Sequence, residues 1–562
     1  MNRALERLGN LLPIRRQLIV VAFFLPGQRG HHYNELLGYK NSAQELGLVP
    51  RILVPRTTEP RLAATLHAEP VLDPLIATGP LDAQSIFGSV SAFTDATQNL
   101  ESLWVALASH NPSFRDILFF TFGHPALIAG IGAWLANRPR LRRPTVFFRI
   151  VGGEFIDEVS GRVTSEKVFL RIACSDLRTR AGQERVFLLG SNHAIVSRAS
   201  RALCRRVFLT PLPKHLAFGS ETRSAAPPHP TVYVHLNPKS GRFVRGLGEI
   251  IRRVTAAQPH VRFLVKPSSL TEESRAYLNA EISSLAEILP AEQDTAEYLA
   301  NFRRCTVVLL AYESESYKVL DSGVFVEAVS CGKPVVVPSG STMAEQIALG
   351  RGIGTIFADT NLESVTSALQ QALREAEKLC AAARSLAPQV RFENSSQRYV
   401  DQIMRLSREL PDMEPRYQIG EEIDFSDPSD SRCFMREGWG ETESWGVWSV
   451  AGRARLFLRL EERRVLVLRV LVQPFLTEKH RRIVVCVSVA ELEVGRWTFS
   501  LDDPEADRPR WCEAFIQTTG PGDSGTALDI SFAIDAPSSP LAEGLSADAR
   551  ALGIGLHKMS LS

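Results

Sequence analysis

Two doubly wound α/β domains followed by an all-β sandwich are what the sequence predicts, and three observations carry that reading. Residues 305–345 run strand, loop, short helix, Gly-Lys-Pro turn, strand, then a small-residue loop opening a further helix. Their apolar runs, Val307 to Leu310 and Val335 to Val337, are of the kind buried on both faces of a parallel sheet. A second β-loop-α-β unit opens the chain: QLIVVAFF, the glycine-bearing loop LPGQRGH, a helix from His31, then RILVP. The third observation is a change of period. From about residue 415, RARLFLRL, RVLVLRVLV, RRIVVCVSV, GRWTFSL and ALDISFAI alternate apolar and polar residues with no helical stretch between them.

A chain of 562 residues, 44% hydrophobic and 22% charged, suffices for roughly two to four domains with sizeable cores. Its net charge of +2 gives no bulk electrostatic case for a nucleic-acid partner. The eight cysteines form no C-x-x-C pair and no Cys/His spacing suited to zinc, so they read as reduced thiols of a cytoplasmic protein. Arg15 and Arg16 before LIVVAFFLPG imitate an export signal, but the apolar run has only strand length and an amphipathic helix follows it. It is read as the first strand. No run approaches the ~20 apolar residues that a membrane span requires. Residues 1–16 read as a short amphipathic helix, with Leu5, Leu8, Leu11 and Leu12 on one side. It packs on its own domain or touches a membrane surface peripherally.

Taken in order, residues 56–115 yield little beyond a helix about LESLWVALASH. DILFFTF is a buried strand, followed by Gly123, His124 and Pro125 and the helix ALIAGIGAWLANR. His124 stands just past a strand C-terminus, where open α/β sheets place ligands. It is the candidate cleft histidine, the alternative being a satisfied structural one. TVFFRI, RVFLLGSN and RRVFLTPLP supply the last strands of the first domain, 1–220. ETRSAAPPHP is a linker, and a second Rossmann-like domain covers 231–410. It opens with a strand, a Gly/Lys/Arg loop and a helix, a stretch that carries Lys239, Arg242 and Arg245, and continues with RFLVKP, whose Lys266 sits at a strand end. RYVDQIMRL is a C-terminal helix that crosses back to the first domain. The sandwich takes 415–562.

The informative helix is SGVFVEAVSCG, with Ser322 at the N-cap, Gly332 as the stop and Glu327 amid apolar neighbours. A carboxylate is costly to bury there unless it meets donors, and ribose hydroxyls are such donors. Glu327, Ala328, Gly332, Pro334, Val335 and Val336 match the "E-A-x-A-x-G-x-P-V-V" helix and turn of the retaining glycosyltransferases of the GT-B fold, and the chain resembles that family. The form Y-x-x-x-x-S-G-x-F-x-E-A, from Tyr317 to Ala328, is similar to a bacterial subgroup found among surface-polysaccharide enzymes.

The resemblance implies a cleft between two facing domains, with a nucleotide-sugar donor on the second and a glycan or lipid-linked acceptor on the first. It assigns Glu327 to the donor ribose, with Ser322 and Gly323 beside it, and Lys239, Arg242, Arg245 and Lys266 to the diphosphate. Gly30, His31 and His32 border the acceptor side. Many members carry an acid eight positions before the glutamate; here that position is Val319, the nearest acid is Asp321, and Asp321 and His124 become the catalytic candidates. With no Asp-x-Asp motif on a suitable loop, the diphosphate charge falls to basic side chains and helix N-termini, so metal independence is expected. Retention at the anomeric carbon is implied by the resemblance, and no cofactor is expected beyond the nucleotide-sugar substrate. The expected function is sugar transfer in bacterial surface-polysaccharide synthesis, in the cytoplasm or peripheral to the inner membrane. The alternatives are a non-catalytic nucleotide- or carbohydrate-binding protein and a nucleotide-sugar epimerase of the same fold. The sandwich resembles a C-terminal domain found on such bacterial proteins. Its Trp439, Trp445 and Trp448 stack on sugar rings or pack as core and edge.

Overall fold

The computed structural model describes residues 16–23, 31–73, 100–123, 125–150, 185–214, 229–237, 241–268, 270–291, 293, 295–313, 317–358, 361–409, 414–460, 465–506, 508–517 and 526–562. The chain divides into two compact units, Met1–Ile195 with Phe208–Pro411, and Val196–Val207 with Asp412–Ser562. The N-terminal amphipathic segment lies outside the described residues.

The first unit holds two sheets. One consists of β1 (Gln17–Val21), β2 (Val49–Pro55), β3 (Ala68–Leu72), β4 (Ile117–Phe120), β5 (Thr145–Ile150), β6 (Val186–Gly190) and β7 (Val207–Leu209), in the order β3-β2-β1-β4-β5-β6-β7. Its pairings through β3-β2-β1-β4-β5-β6 are parallel. The other consists of β8 (Thr231–Leu236), β9 (Arg262–Pro267), β10 (Glu287–Ile288), β11 (Val307–Leu310), β12 (Val335–Pro338) and β13 (Gly354–Phe357), in the order β10-β9-β8-β11-β12-β13, all parallel. Every residue of β4, β5, β8, β11 and β12 is buried, as strands covered by helices on both faces require, and β4, β11 and β12 are apolar throughout. In each sheet the order reverses beside its first strand, between β1 and β4 and between β8 and β11. Such reversals open a crevice beyond the strand C-termini.

β3, in the stretch that the sequence leaves unread, carries Pro70 and only one fully buried residue, Leu72. It lies at the sheet edge, where a strand tolerates proline. The helix Ser396–Glu409 returns to the first sheet as expected: Tyr399 packs on Tyr39 and Phe119, with ring centroids 5.5 and 5.6 Å away. Arg16 donates to Ser407 Oγ at 2.5 Å from the start of the same sheet.

The second unit contains β14 (Glu422–Asp424), β15 (Trp439–Glu443), β16 (Gly446–Ser449), β17 (Arg453–Leu460), β18 (Val465–Pro474), β19 (Arg482–Val489), β20 (Leu492–Ser500), β21 (Arg510–Gln517), β22 (Thr526–Ile534) and β23 (Ile554–Leu561). One antiparallel sheet runs β15-β16-β23-β18-β21 with β14 on β23, and the other runs β17-β22-β19-β20. Inward residues of both, among them Leu468 and Val470 of β18 and Val485 and Val487 of β19, meet in one core, which makes the pair a sandwich. The segment Val196–Val207 belongs to this unit through Arg201. Its guanidinium donates to Asp430 Oδ1 at 2.6 Å, to Glu421 Oε2 and to the Glu422 carbonyl at 3.1 Å. Arg201 is 5% exposed, whereas the two carboxylates are 28% and 22% exposed.

Replacing a buried cation in such a cluster leaves carboxylates that water only partly reaches. Arg201→Met should lower the stability of the sandwich by about 1–3 kcal/mol, the cost of leaving partners unsatisfied, which falls below the ~3–5 kcal/mol of breaking a fully buried pair because water reaches the carboxylates. The measurement is the denaturant midpoint of the sandwich transition followed by tryptophan fluorescence; an unmoved midpoint would contradict the assignment.

Candidate active site

The site grows from the helix Gly323–Ser330 at the C-terminal edge of the second sheet. Ser322 caps it, its Oγ accepting from the Phe325 amide at 3.2 Å with an extended backbone, φ −101° and ψ 110°. Glu327, one turn in, is nearly enclosed. Its Oε1 accepts from Lys214 Nζ at 3.1 Å and its Oε2 from the Tyr298 hydroxyl. The side chains of Lys214 and Glu327 are 8% and 13% exposed, so each charge depends on the other. Burial first, then Glu327, holds the Tyr298 phenol far above its usual range, and it stays a donor.

Lys214 follows β7 and is fixed by its own amide, which donates to the Asn394 carbonyl at 2.7 Å. The residue at 323 has to be small for it to arrive: a Cβ there would lie 2.5 Å from Lys214 Nζ. Beside the N-cap, Asp321 is half-buried and its Oδ2 is out of reach of solvent and has no hydrogen-bond partner. Burial pushes the Asp321 carboxyl up, and Ser191 and Asn192 beside it pull it back. Asn192 also donates to the Val319 carbonyl at 2.9 Å, and Thr342 donates to that of Leu320 at 2.6 Å, so backbone on both sides of the cap is held. A narrow crevice opens here, lined by Asn192, Asp321, Ser322, Phe325, Gln346 and Arg351 among others.

The first sheet contributes a buried ion pair. Arg149, near the end of β5 and 5% exposed, donates through Nη1 to Glu35 Oε2 at 2.7 Å and through Nε to the Thr121 carbonyl at 3.0 Å. Burial opposes the Arg149 charge, and Glu35, then Tyr39, outweigh it. Glu35 lies one turn beyond His32 on the helix His31–Glu45. Burial lowers the His32 imidazole, Glu35 raises it, and Arg149 and Lys214 lower it further. His32, in the first turn of that helix, and Glu327 of the second domain thus share Lys214 as a charged neighbour.

At the other strand ends, Lys266 donates to the Pro290 carbonyl at 3.0 Å and to that of Ala291, fixing the turn that follows β10. Burial, and after it Lys266, pushes the His235 imidazole down to about 3, and its Nδ1 has no hydrogen-bond partner. Tyr312 stacks on Tyr317 with centroids 4.5 Å apart, and Asn237 donates to the Tyr317 hydroxyl at 2.8 Å.

The structure therefore brings together Glu327, Ser322, Gly323, Asp321 and His32. His124, Lys239 and Gly30 lie outside the described residues. His31 and Arg242 are placed by their backbones at the first turns of the helices His31–Glu45 and Gly241–Ala257. Arg245 is exposed and pairs with Glu273 at 3.1 Å. In the sandwich, Trp439 donates to the Arg455 carbonyl at 2.7 Å and packs against the core. Trp445 and Trp448 meet edge to face at 5.0 Å, and Trp445 lies so close to Gly555 that a Cβ there would approach its ring to 2.6 Å. Sequence reading passed over Lys214, Tyr298 and the Glu35–Arg149 pair. The available signals were a lysine just past a strand end and a carboxylate set among apolar residues one turn beyond His32.

Two parallel-sheet α/β domains, each with its order reversal facing a charged cluster, followed by antiparallel sheets, define a GT-B arrangement with a β-sandwich. Among solved structures, that of TarM is similar over 70% of this chain and 99% of its own, with a TM-score of 0.50 at 8% identity, a likeness of fold alone. The N-terminal domain of Candida albicans trehalose-6-phosphate phosphatase aligns with a TM-score of 0.46 at 13% identity over 70% of this chain and 97% of its own. An α,α-trehalose 6-phosphate synthase from Burkholderia multivorans gives 0.46 at 11% over 71% and 97%. No protein-family model and no curated protein sequence matches the chain.

Two measurements probe the cluster. Lys214→Met should destabilise the first unit by about 1–3 kcal/mol, and adding Glu327→Gln should recover part of the loss, a coupling of about 0.5–3 kcal/mol in a double-mutant cycle. Additive losses would mean that the pair does not act as one. His235 is neutral when folded, so its contribution to stability is whole above its unfolded pKa of ~6.5 and is lost as pH falls from there toward the folded value of about 3. His235→Gln should flatten the pH dependence of unfolding free energy between about pH 6.5 and 4, where one such group contributes up to ~1.4 kcal/mol per unit. Parallel profiles for the two proteins would exclude that role.

Proposed function

We propose that the chain is a glycosyltransferase that moves a sugar from a nucleotide-sugar to a glycan or lipid-linked acceptor, in bacterial surface-polysaccharide synthesis. Glu327 carries the proposal: a nearly enclosed carboxylate, held on both oxygens, one turn into a capped helix at the switch point of a GT-B second domain. Ribose hydroxyls donate to it in place of Tyr298 and Lys214. Released from the pair, Lys214 joins Lys239 and Arg242 in offsetting the diphosphate, without a metal ion.

In the transfer, the bond from the anomeric carbon to the phosphate oxygen breaks and the nucleoside diphosphate leaves with the electron pair. The acceptor hydroxyl forms the new bond with retention, and its proton passes to the departing phosphate or to His124. Asp321 sits beside the crevice, its charge opposed by burial, as an acid facing the donor sugar. The protein works in the cytoplasm or at the inner membrane surface; among the described residues no helix is long and apolar enough to cross a membrane.

A second reading, a non-catalytic nucleotide binder or an epimerase, is favoured by one observation. Val319, where the resemblance places an acid, is 1% exposed, with its carbonyl taken by Asn192. Nucleotide-sugars incubated with and without an acceptor separate the readings: transfer only with acceptor supports the first, turnover without it the epimerase, and binding without turnover the binder.

Glu327→Ala should weaken nucleoside-diphosphate binding by roughly 1.5–3 kcal/mol, the range for hydrogen bonds to a charged group. Unchanged affinity in a folded variant, measured by calorimetry, would sink the ribose assignment. Activity should survive excess chelator, and loss with rescue by Mg²⁺ or Mn²⁺ would overturn metal independence.

A further inference from the structure

A second cavity, of about 250 Å³, lies where the helix His31–Glu45, Lys214, the end of the helix Gly323–Ser330 and the junction of the helices Ala376–Glu393 and Ser396–Glu409 meet. Among the described residues its lining holds no apolar side chain, so it is neither a packing void nor an oily groove. Two cations, Lys214 and Arg391, line it against one carboxylate, that of the exposed Glu45. The fourteen-residue helix Ser396–Glu409 starts at its wall. Ser395 caps that helix, its Oγ accepting from the Arg398 amide at 3.1 Å, which leaves the amides of Ser396 and Gln397 without an intrahelical acceptor. Ser396 supplies a separate observation: it is 3% exposed, it lines the cavity, and its Oγ has no hydrogen-bond partner. An orphaned buried hydroxyl asks for a ligand atom or a water, and beside free amides and two cations the fitting atom is an anionic oxygen.

We propose that this cavity is a phosphate-binding site, distinct from the nucleotide-sugar crevice, which takes free phosphate or the phosphate group of a small phosphate ester. Ser396 donates its hydroxyl and the first-turn amides of Ser396 and Gln397 donate beside it. Arg391, one of whose nitrogens donates to the Ser330 carbonyl at 2.8 Å, offers the rest of its guanidinium. Lys214 touches both places: its ammonium bonds Glu327 while its side chain lines this cavity. An anion here pulls Lys214 away from Glu327, so occupancy of the cavity shifts the charge state of the donor cluster. The proposal does not require that the donor cluster bind a nucleotide-sugar.

The test is calorimetric titration of the full chain with inorganic phosphate, with ribose 5-phosphate and with ribose. A saturable isotherm is expected for a phosphate form and none for ribose. Equal affinity for the two phosphate forms assigns free phosphate, and tighter binding of ribose 5-phosphate assigns an ester. Arg391→Met, and Gln397→Glu at the exposed lip, should each weaken phosphate binding roughly tenfold or more, the scale of one charge-assisted hydrogen bond. Gln397→Glu should leave nucleoside-diphosphate affinity unchanged. If Arg391→Met fails to fold, Gln397→Glu and Ser396→Ala carry the comparison. No heat with either phosphate form, ribose binding as tightly as its phosphate, or affinity indifferent to the lip carboxylate would each overturn the proposal.

Discussion

A carboxylate enclosed midway along a helix must find a donor for each oxygen or give up its charge, and Glu327 sets that condition for the whole first unit. One donor comes from Tyr298, on the helix preceding β11, and the other from Lys214, just beyond the last strand of the first sheet. Meeting the condition therefore ties the end of the first sheet to a helix of the second. Removal of a single partner leaves a buried charge, whereas removal of both leaves only a small polar gap. The cluster specifies an arrangement more than it adds stability.

The same logic repeats in the first sheet at smaller scale. Arg149 stands where β5 ends, and Glu35, Tyr39 and the Thr121 carbonyl share its donors. That network fixes the first turns of the helix His31–Glu45, and so the backbone that follows the glycine-bearing loop. Glu327 and the Arg149–Glu35 pair are held by partners already in place, so a ligand that reaches either carboxylate must exchange partners with it.

The strands buried on both faces were legible from their apolar runs: β4, β11 and β12 are such runs throughout, and β5 is one apart from Thr145 and Arg149. The sandwich was legible from its alternation, which the structure reproduces residue by residue in β17 and β18. β3 was not, because a sheet edge relaxes the hydrophobic pattern and admits Pro70. Ser322 and Gly332 were readable from local rules of caps and helix ends, and Glu327 as a carboxylate set among apolar neighbours. Lys214 was not, since its meaning lies in a contact with a residue 113 positions away and a lysine after a strand has many ordinary uses. Trp439 was ambiguous for the same reason: only the neighbouring sheet shows that its indole faces core and donates to Arg455.

The membership of Val196–Val207 in the sandwich unit has a consequence for how the chain is made. Arg201 leaves the ribosome 220 residues before Glu421, the nearer in sequence of its two acidic partners. At a synthesis rate of ~5–20 residues per second this segment waits roughly 10–45 s for its partners, and longer for the strands that complete the sandwich. Through that interval a cation destined for the interior waits without its acidic partners. Vectorial synthesis thus builds a delay into the second unit, with its earliest piece held in reserve until the last strand, β23, is released.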